Sequence, residues 1–332
     1  MLGALYDERL YQAVRCAGRG LMPRLVIPDD APTVMSRSQA YQRLRACDHQ
    51  LHDSLPGTPQ ELAARIGDAE AVINIRASSR FSADVLAQCH ALRLISIWGT
   101  GTDHVDLTAA RSRGITVTNT PAVSALAVAE HTLSLMFAVA KQTIAVDRCV
   151  RAGEWPRAMV QQLSGRTLGI IGTGAIGREV ARLANAIGMS VIAWTFNPEG
   201  TFCEWVSFED VFRRGDVVSV HVRESPDTRG MIRREHFALM KPTGIFINTA
   251  RGRIVVEADL VDALRESRIA GAGVDVFEVE PLPADSALRL LPNVVLTPHA
   301  AGITPEATEK GLELAVANVL NFWAGTPSNV VV

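Results

Sequence analysis

Three residues of this 332-residue chain carry side chains suited to reducing a carbonyl that sits beside a carboxylate: Arg251, Glu280 and His299. A planar guanidinium offers two directed donors to a carboxylate and its neighbouring carbonyl. An imidazole can give a proton to a developing alkoxide near neutral pH. A carboxylate beside that ring orients it and favours its charged form. The hydride must come from a cofactor, because no side chain carries one.

Position joins the three. Each lies just past an apolar run: Arg251 in Ile247-Asn-Thr-Ala-Arg-Gly252, Glu280 in Asp275-Val-Phe-Glu-Val-Glu-Pro281, and His299 in Leu296-Thr-Pro-His-Ala-Ala-Gly302. Open α/β sheets bind their ligands outside the C-terminal ends of strands. Taken singly, the three read as a loop salt-bridge partner, a solvated charge and a satisfied imidazole. Their shared placement at strand ends is what argues for chemistry.

A glycine-rich turn, Gly172-Thr-Gly174-Ala-Ile-Gly177, follows the strand-like Leu168–Ile171 and opens a helix read as Arg178–Ile187. An ordinary strand–helix turn is the bland alternative. In this context the glycines permit a tight turn and close approach to a pyrophosphate, and the helix N-terminus faces that anion with N–H groups. The same fingerprint asks for an acid about 20 residues on to hold the ribose hydroxyls. Thr195 stands there instead, in Ala193-Trp-Thr-Phe-Asn197. Without a carboxylate a 2′-phosphate is not repelled, yet the next basic residue along the chain is Arg213, so no cation is expected to attract it. NAD leads as cofactor and NADP stays open.

Around these motifs, short β-branched runs alternate with helix-period segments, as in βαβ units. Expected strands are Leu25–Ile27, Ala71–Ile75, Leu94–Ile97 and Thr116–Thr118, with helices such as Pro59–Ile66 and Ser82–Gln88 between them. A second series comprises Thr167–Ile171, Ser190–Trp194, Val217–His221, Gly244–Asn248, Gly273–Val276 and Val294–Thr297. Near-continuous apolar strands imply helices on both faces. One long helix is expected over Ala125–Arg151 and another over Pro305–Phe322. The fold class is α/β: two doubly wound parallel-sheet domains, Rossmann-like or flavodoxin-like, the second inserted into the first.

Composition narrows the partners. At 48% hydrophobic and 20% charged the chain is globular, and a net charge of −2 gives no pull toward nucleic acid or anionic membrane. The five cysteines, Cys16, Cys47, Cys89, Cys149 and Cys203, form no C-x-x-C pair. That argues against a zinc site or a disulfide framework and suits a cytoplasmic protein. No apolar stretch reaches membrane-span length. Residues 1–21 lack the apolar core of a secretory signal. They are expected to be a poorly ordered extension, or to precede the natural start at Met22.

The chain resembles the D-2-hydroxyacid dehydrogenase family, which includes phosphoglycerate, D-lactate and hydroxypyruvate/glyoxylate enzymes. The resemblance runs from about Arg24 to the C-terminus. Its motifs are Trp98-Gly-Thr-Gly-Thr-Asp-His-Val-Asp106, Asn119-Thr-Pro121, Ala127-Val-Ala-Glu-His131, Leu168–Gly177, Asp216-Val-Val-Ser-Val-His221, Met240-Lys-Pro242, Asn248–Gly252, Asp275–Pro281 and Thr297-Pro-His299. It implies a substrate domain of residues 22–121 plus 301–332 and an NAD(P)-binding domain of residues 122–300. Arg251 would bind substrate, and His299, paired with Glu280, would be the acid/base. Gly172, Gly174, Ala175, Ile176 and Gly177 would cradle the pyrophosphate, with Thr195, Val222, Thr228, Thr249 and Gly302 lining the cofactor. Asp275 would face the nicotinamide carboxamide. Arg76, Thr100 and Gly101 would face the substrate from the other domain. Members usually form homodimers through the cofactor domain, which the apolar helix starting near Ala125 would serve.

The resemblance implies a small 2-oxo or D-2-hydroxy acid in the glyoxylate, hydroxypyruvate or phosphohydroxypyruvate range, and departures from the family pattern disfavour formate and weaken the case for a phosphorylated substrate. Formate-oxidising relatives carry Gln where this chain has Glu280. Phosphoglycerate enzymes often carry a basic residue near Ile97, and no chain follows Val332 for their regulatory domain. The connection Phe196–Val206 is short, so a helix on the adenosine side is expected to be missing. Two other readings share the fold: a nucleotide-gated, corepressor-like binding protein, and a degraded relative that binds nucleotide poorly.

Overall fold

A computed structural model describes residues 23–44 and 47–332. The N-terminal extension expected over residues 1–21, and Met22, lie outside the described residues. The chain divides into two compact units: one runs through Ser124 and resumes over Thr304–Val332, and the other is Ala125–Ile303.

The first unit holds β1 (Arg24–Ile27), α1 (Gln39–Gln42), β2 (Asp48–Leu51), α2 (Pro59–Ile66), β3 (Ala71–Asn74), α3 (Ala83–Gln88), β4 (Leu94–Ile97), α4 (Leu107–Ser112) and β5 (Thr116–Thr118). Its five strands are parallel in the order β2-β1-β3-β4-β5, the flavodoxin-like arrangement. Strand residues alternate between the faces. Val72, Ile95 and Val117 pack against Leu62, Ile66 and Val85 of the helices on one side. Leu25, Ile27, Ile73 and Leu94 pack on the other against Leu312, Val316 and Val319 of the helix Pro305–Trp323. Thr58 shows why a helix starts where it does: its Oγ1 accepts the Glu61 N–H at 3.1 Å, and Pro59 fills a first-turn position that needs no donor.

The second unit holds α5 (Ala125–Ala140), α6 (Thr143–Arg151), β6 (Thr167–Ile171), α7 (Ala175–Ala186), β7 (Ser190–Trp194), β8 (Glu204–Trp205), α8 (Phe208–Arg214), β9 (Val217–Val220), α9 (Arg234–Leu239), β10 (Ile245–Asn248), α10 (Glu257–Arg265), β11 (Gly271–Val274) and β12 (Val294–Leu296). The strand order is β12-β11-β10-β9-β6-β7-β8. Chain order reverses between β6 and β9, which opens a ligand crevice at their C-terminal ends. Both faces are covered. Ile171, Val218, Val220 and Phe246 meet Phe212, Phe237 and Leu260 on one side, while Leu168, Ile170, Val217 and Ile247 meet Leu135, Met136, Val180 and Ala184 on the other.

The expectation of two doubly wound parallel sheets holds. The single helix expected over Ala125–Arg151 does not. It is broken into α5 and α6 at Gln142, whose backbone is left-handed with φ +52°. The freed carbonyl of Ala140 is taken by the N–H of Gln161 at 2.9 Å, and Lys141 Nζ donates to Gln161 O at 2.7 Å. The segment after α6 therefore folds back over the break and satisfies its backbone. Strands β2 and β8 have no counterpart in the sequence reading, because both are short sheet edges with polar residues. Among the described residues, no helix is long and apolar enough to cross a membrane.

Candidate functional site

Register explains why the three chemical residues meet. Asn248 of β10 pairs with Val274 of β11, and Val274 pairs with Leu296 of β12. Three adjacent strands thus end level, and the loops leaving them carry Arg251, Glu280 and His299. His299 Nδ1 lies 2.7 Å from Glu280 Oε2, and Glu280 Oε1 accepts the Phe277 N–H at 2.9 Å. With Nδ1 committed to the carboxylate, Nε2 is the ring nitrogen left for proton transfer.

Burial pushes the Glu280 carboxyl upward. The hydrogen bond and charge of His299, the Phe277 N–H and the charge of Arg251 outweigh it and hold the group below the usual carboxylate range. The sign follows directly. Glu280 is ionised at neutral pH, and the stability from its contacts is present above the ordinary carboxylate value and lost as pH falls through the depressed one.

Backbone contacts lock the loops together. Asn248 Oδ1 accepts the Ala250 N–H and its Nδ2 donates to Arg251 O, both at 3.0 Å. Arg251 itself donates from Nη1 to Ala250 O at 2.8 Å. Gly252 is pressed so closely onto the next loop that a Cβ there would stand 1.9 Å from the carbonyl carbon of Phe277. His299 is left-handed at φ +53°, a conformation that costs a non-glycine residue roughly 1–3 kcal/mol unless its surroundings impose it. Asp275 imposes it. Its carbonyl accepts the His299 N–H at 2.7 Å, and its fully buried carboxylate accepts Thr297 Oγ1 at 2.6 Å, Ala300 N at 2.9 Å and Ala301 N at 3.0 Å.

The resemblance makes Asp275 a partner for the nicotinamide carboxamide. With three donors already bound, about one lone-pair site remains for any further group. The sequence reading did not place His131 here. Its Nε2 reaches Thr297 Oγ1 at 3.0 Å and lies 3.6 Å from Asp275 Oδ1, so α5 supports the same loop. The available signal was a histidine on an otherwise strongly apolar helix.

The glycine-rich turn lies beside the crevice between β6 and β9. Gly172 has φ +96°, and a Cβ on it would fall 2.7 Å from the His221 carbonyl carbon and from Val222 Cγ1. Gly177 is required by contact, since its Cβ would stand 2.1 Å from Gly172 O. At Gly174 a Cβ would meet nothing within 4 Å, and no side chain caps α7. Open space beside an uncapped helix N-terminus, with Ala175 and Ile176 as its first residues, suits a dinucleotide pyrophosphate.

Other expected cofactor residues are differently engaged. Thr228 is buried, with Oγ1 donating to Arg223 O at 2.7 Å and accepting Ser225 N at 2.8 Å, so its hydroxyl closes its own turn. Thr249 is buried and its hydroxyl pairs with Thr132 of α5 at 3.0 Å. Gly302 follows Ala301 out of the loop that Asp275 holds.

Thr195 directly follows β7, whose Trp194 carbonyl accepts the Gly172 N–H at 2.8 Å. An arginine earlier in the chain reaches the connection that follows Thr195. Arg178 of α7 donates from Nε to Thr173 O at 3.1 Å, and its guanidinium lies 4.9 Å over the Phe202 ring in the β7–β8 connection. Arg178 precedes Thr195 in the chain, and its helix brings it to the connection beyond β7.

In the first unit, Arg76 and Thr100 follow the paired strands β3 and β4. Arg76 donates from Nε to Ala31 O at 3.0 Å and from Nη2 to Pro32 O, and lies 5.7 Å over the Trp98 ring. These donors secure the loop after β1. That loop is also fixed by the fully buried Asp29, which accepts the Ile75 N–H at 2.9 Å and the Arg76 N–H at 3.1 Å. Thr100 is exposed, with its carbonyl taken by Asn119 Nδ2 at 2.8 Å, and Gly101 beside it is half-buried.

The model of the D-isomer specific 2-hydroxyacid dehydrogenase NAD binding domain matches residues 133–301. Glycerate dehydrogenase of Methylorubrum extorquens is 39% identical over 285 residues, covering 82% of this chain and 89% of the relative. Glyoxylate reductase of Korarchaeum cryptofilum is 37% identical over 291 residues, covering 84% and 87%. The crystal structure of D-lactate dehydrogenase from Aquifex aeolicus, complexed with NAD and lactic acid, superposes with a TM-score of 0.82 at 28% identity, covering 93% of this chain and 98% of that one.

Proposed function

We infer, because the chain belongs to the D-isomer specific 2-hydroxyacid dehydrogenase family, that it moves a hydride between NAD or NADP and a small 2-oxo or 2-hydroxy acid. The observation that carries the reading is the 2.7 Å contact between His299 Nδ1 and Glu280 Oε2, beside Arg251. When bound, the nicotinamide cofactor supplies the hydride. Arg251 binds the substrate carboxylate and carbonyl through its guanidinium. His299 gives a proton from Nε2 to the carbonyl oxygen during reduction and takes it back during oxidation. Glu280 holds the ring by Nδ1 and so fixes Nε2 as the nitrogen that carries the transferred proton. Asp275 positions His299 through the backbone. Gly172, Gly174, Ala175, Ile176 and Gly177 hold the pyrophosphate. We assign Ala125–Ile303 as the cofactor domain and the other unit as the substrate domain, with Arg76, Thr100 and Gly101 on its substrate side.

The assay is NAD(P)H oxidation with a panel of 2-oxo acids, glyoxylate, hydroxypyruvate and pyruvate among them. The expected outcome is turnover with at least one member. Nucleotide-dependent oligomerisation with no turnover of any would replace this reading with the corepressor-like one.

The chain also acts as a cytoplasmic homodimer. Cys47, Cys89, Cys149 and Cys203 are free, as thiols are in a reducing compartment. The expected dimer helix, α5, packs largely onto its own sheet through Ala129, Leu135 and Met136. Unpartnered apolar surface lies instead on α6, which buries no residue although Ile144 and Val150 are on it, and on Trp155 (77% exposed) and Met159 (96%) beyond it. Several large apolar side chains left exposed along one stretch of chain suit an interface. Replacing Trp155 and Met159 together by Glu should halve the mass seen in sedimentation equilibrium; an unchanged mass places the interface elsewhere.

A further inference from the structure

Three segments of the second unit converge beside the glycine-rich turn: the turn itself at Thr173, the end of β7 at Thr195, and the β7–β8 connection at Glu199–Phe202. The Gly172 N–H bond to Trp194 O fixes Thr195 next to the turn. Arg178 is tied to the turn by its bond to Thr173 O and lies over Phe202. The end of the second Rossmann strand is where such folds read the adenosine ribose, by an acid for a bare 2′-hydroxyl and by arginine for a 2′-phosphate. This chain has a hydroxyl where the acid would be and an arginine within the same cluster of segments.

We propose that Arg178 and Thr195 form a recognition site for the 2′-phosphate of NADP(H), so that this chain favours the phosphorylated cofactor; the proposal rests on the dehydrogenase reading. Nε of Arg178 is spent on Thr173 O, and stacking on Phe202 holds the guanidinium plane. Both Nη groups then form a fork of the kind that binds phosphate oxygens bidentately. Among the described residues, the Glu199 carboxylate stands 3.9 Å from Nη2 and is 79% exposed. Such a long, solvated pair contributes little and yields readily to a dianion. Thr195 adds a hydroxyl donor and, unlike an acid, no repulsion. Burial pushes His221, on the other side of the turn, down to about 3, so that ring is neutral and adds no competing positive charge.

The test is fluorescence titration of the full chain with NADPH and with NADH. Wild type should bind NADPH at least about tenfold more tightly, the ratio expected from one charge-assisted contact. Arg178→Ala should lose most of that preference while NADH affinity stays within about twofold. Thr195→Asp should reverse the preference. Arg182→Ala, an exposed arginine farther along the same helix, should change neither affinity. The proposal is overturned if wild type binds both equally or prefers NADH. It is also overturned if Arg178→Ala weakens both nucleotides alike, or if Arg182→Ala does as much as Arg178→Ala. Failure of wild type to bind either nucleotide is a different result, since it removes the dehydrogenase reading itself.

Discussion

Replacing His299 by Asn is expected to lower kcat/KM for 2-oxo acid reduction by about 10²–10⁴-fold, the usual worth of a positioned general acid, and to leave NAD(P)H affinity unchanged. Asn is the informative substitution because it tolerates left-handed backbone, so the loop held by Asp275 keeps its shape while the proton donor is lost. Steady-state kinetics with nucleotide titration in parallel separates the two effects. Activity within a few-fold of wild type would remove His299 from the chemistry. Glu280→Gln belongs to the same experiment. It removes the carboxylate charge beside the ring at nearly constant size, so the rate should fall while nucleotide affinity stays unchanged.

The second large effect is expected at a residue with no side chain. Gly252→Ala would set a Cβ 1.9 Å from the Phe277 carbonyl carbon and 2.1 Å from its oxygen. Backbone cannot yield as a flexible side chain does, so the loops carrying Arg251 and Glu280 must part. A displacement of about 1 Å is enough for a loss on the order of 10²-fold in turnover. The strain should also lower stability by about 1–3 kcal/mol. A thermal melt beside the kinetics reads both. Wild-type turnover in this variant would show that the two loops do not need their close contact.

The second sheet was legible because its strands are buried on both faces and read as unbroken apolar runs; Thr167–Ile171 and Ser190–Trp194 stand as expected. The edge strands Asp48–Leu51 and Glu204–Trp205 were not, since a polar edge carries no hydrophobic period. Nor was the break at Gln142. No glycine or proline marks it, and the cause lies in Gln161, nineteen positions on, which satisfies the freed carbonyl. Within the site, Arg251, Glu280 and His299 were visible because strand ends announce them. Arg178 and His131 were hidden because their contacts join segments far apart in sequence. Thr228 and Thr249 illustrate the converse: residue type suggested a lining role, while packing gave their hydroxyls local partners.

The left-handed backbone of His299 sets stability against chemistry at a single position. A glycine would adopt φ +53° freely, and would keep the N–H that bonds Asp275 O. Selection of variants for thermal resistance alone would therefore tend to replace the proton donor with a residue better suited to the turn. Screens that aim to stabilise this protein should hold position 299 fixed, because here a more robust molecule and an inert one are reached by the same substitution.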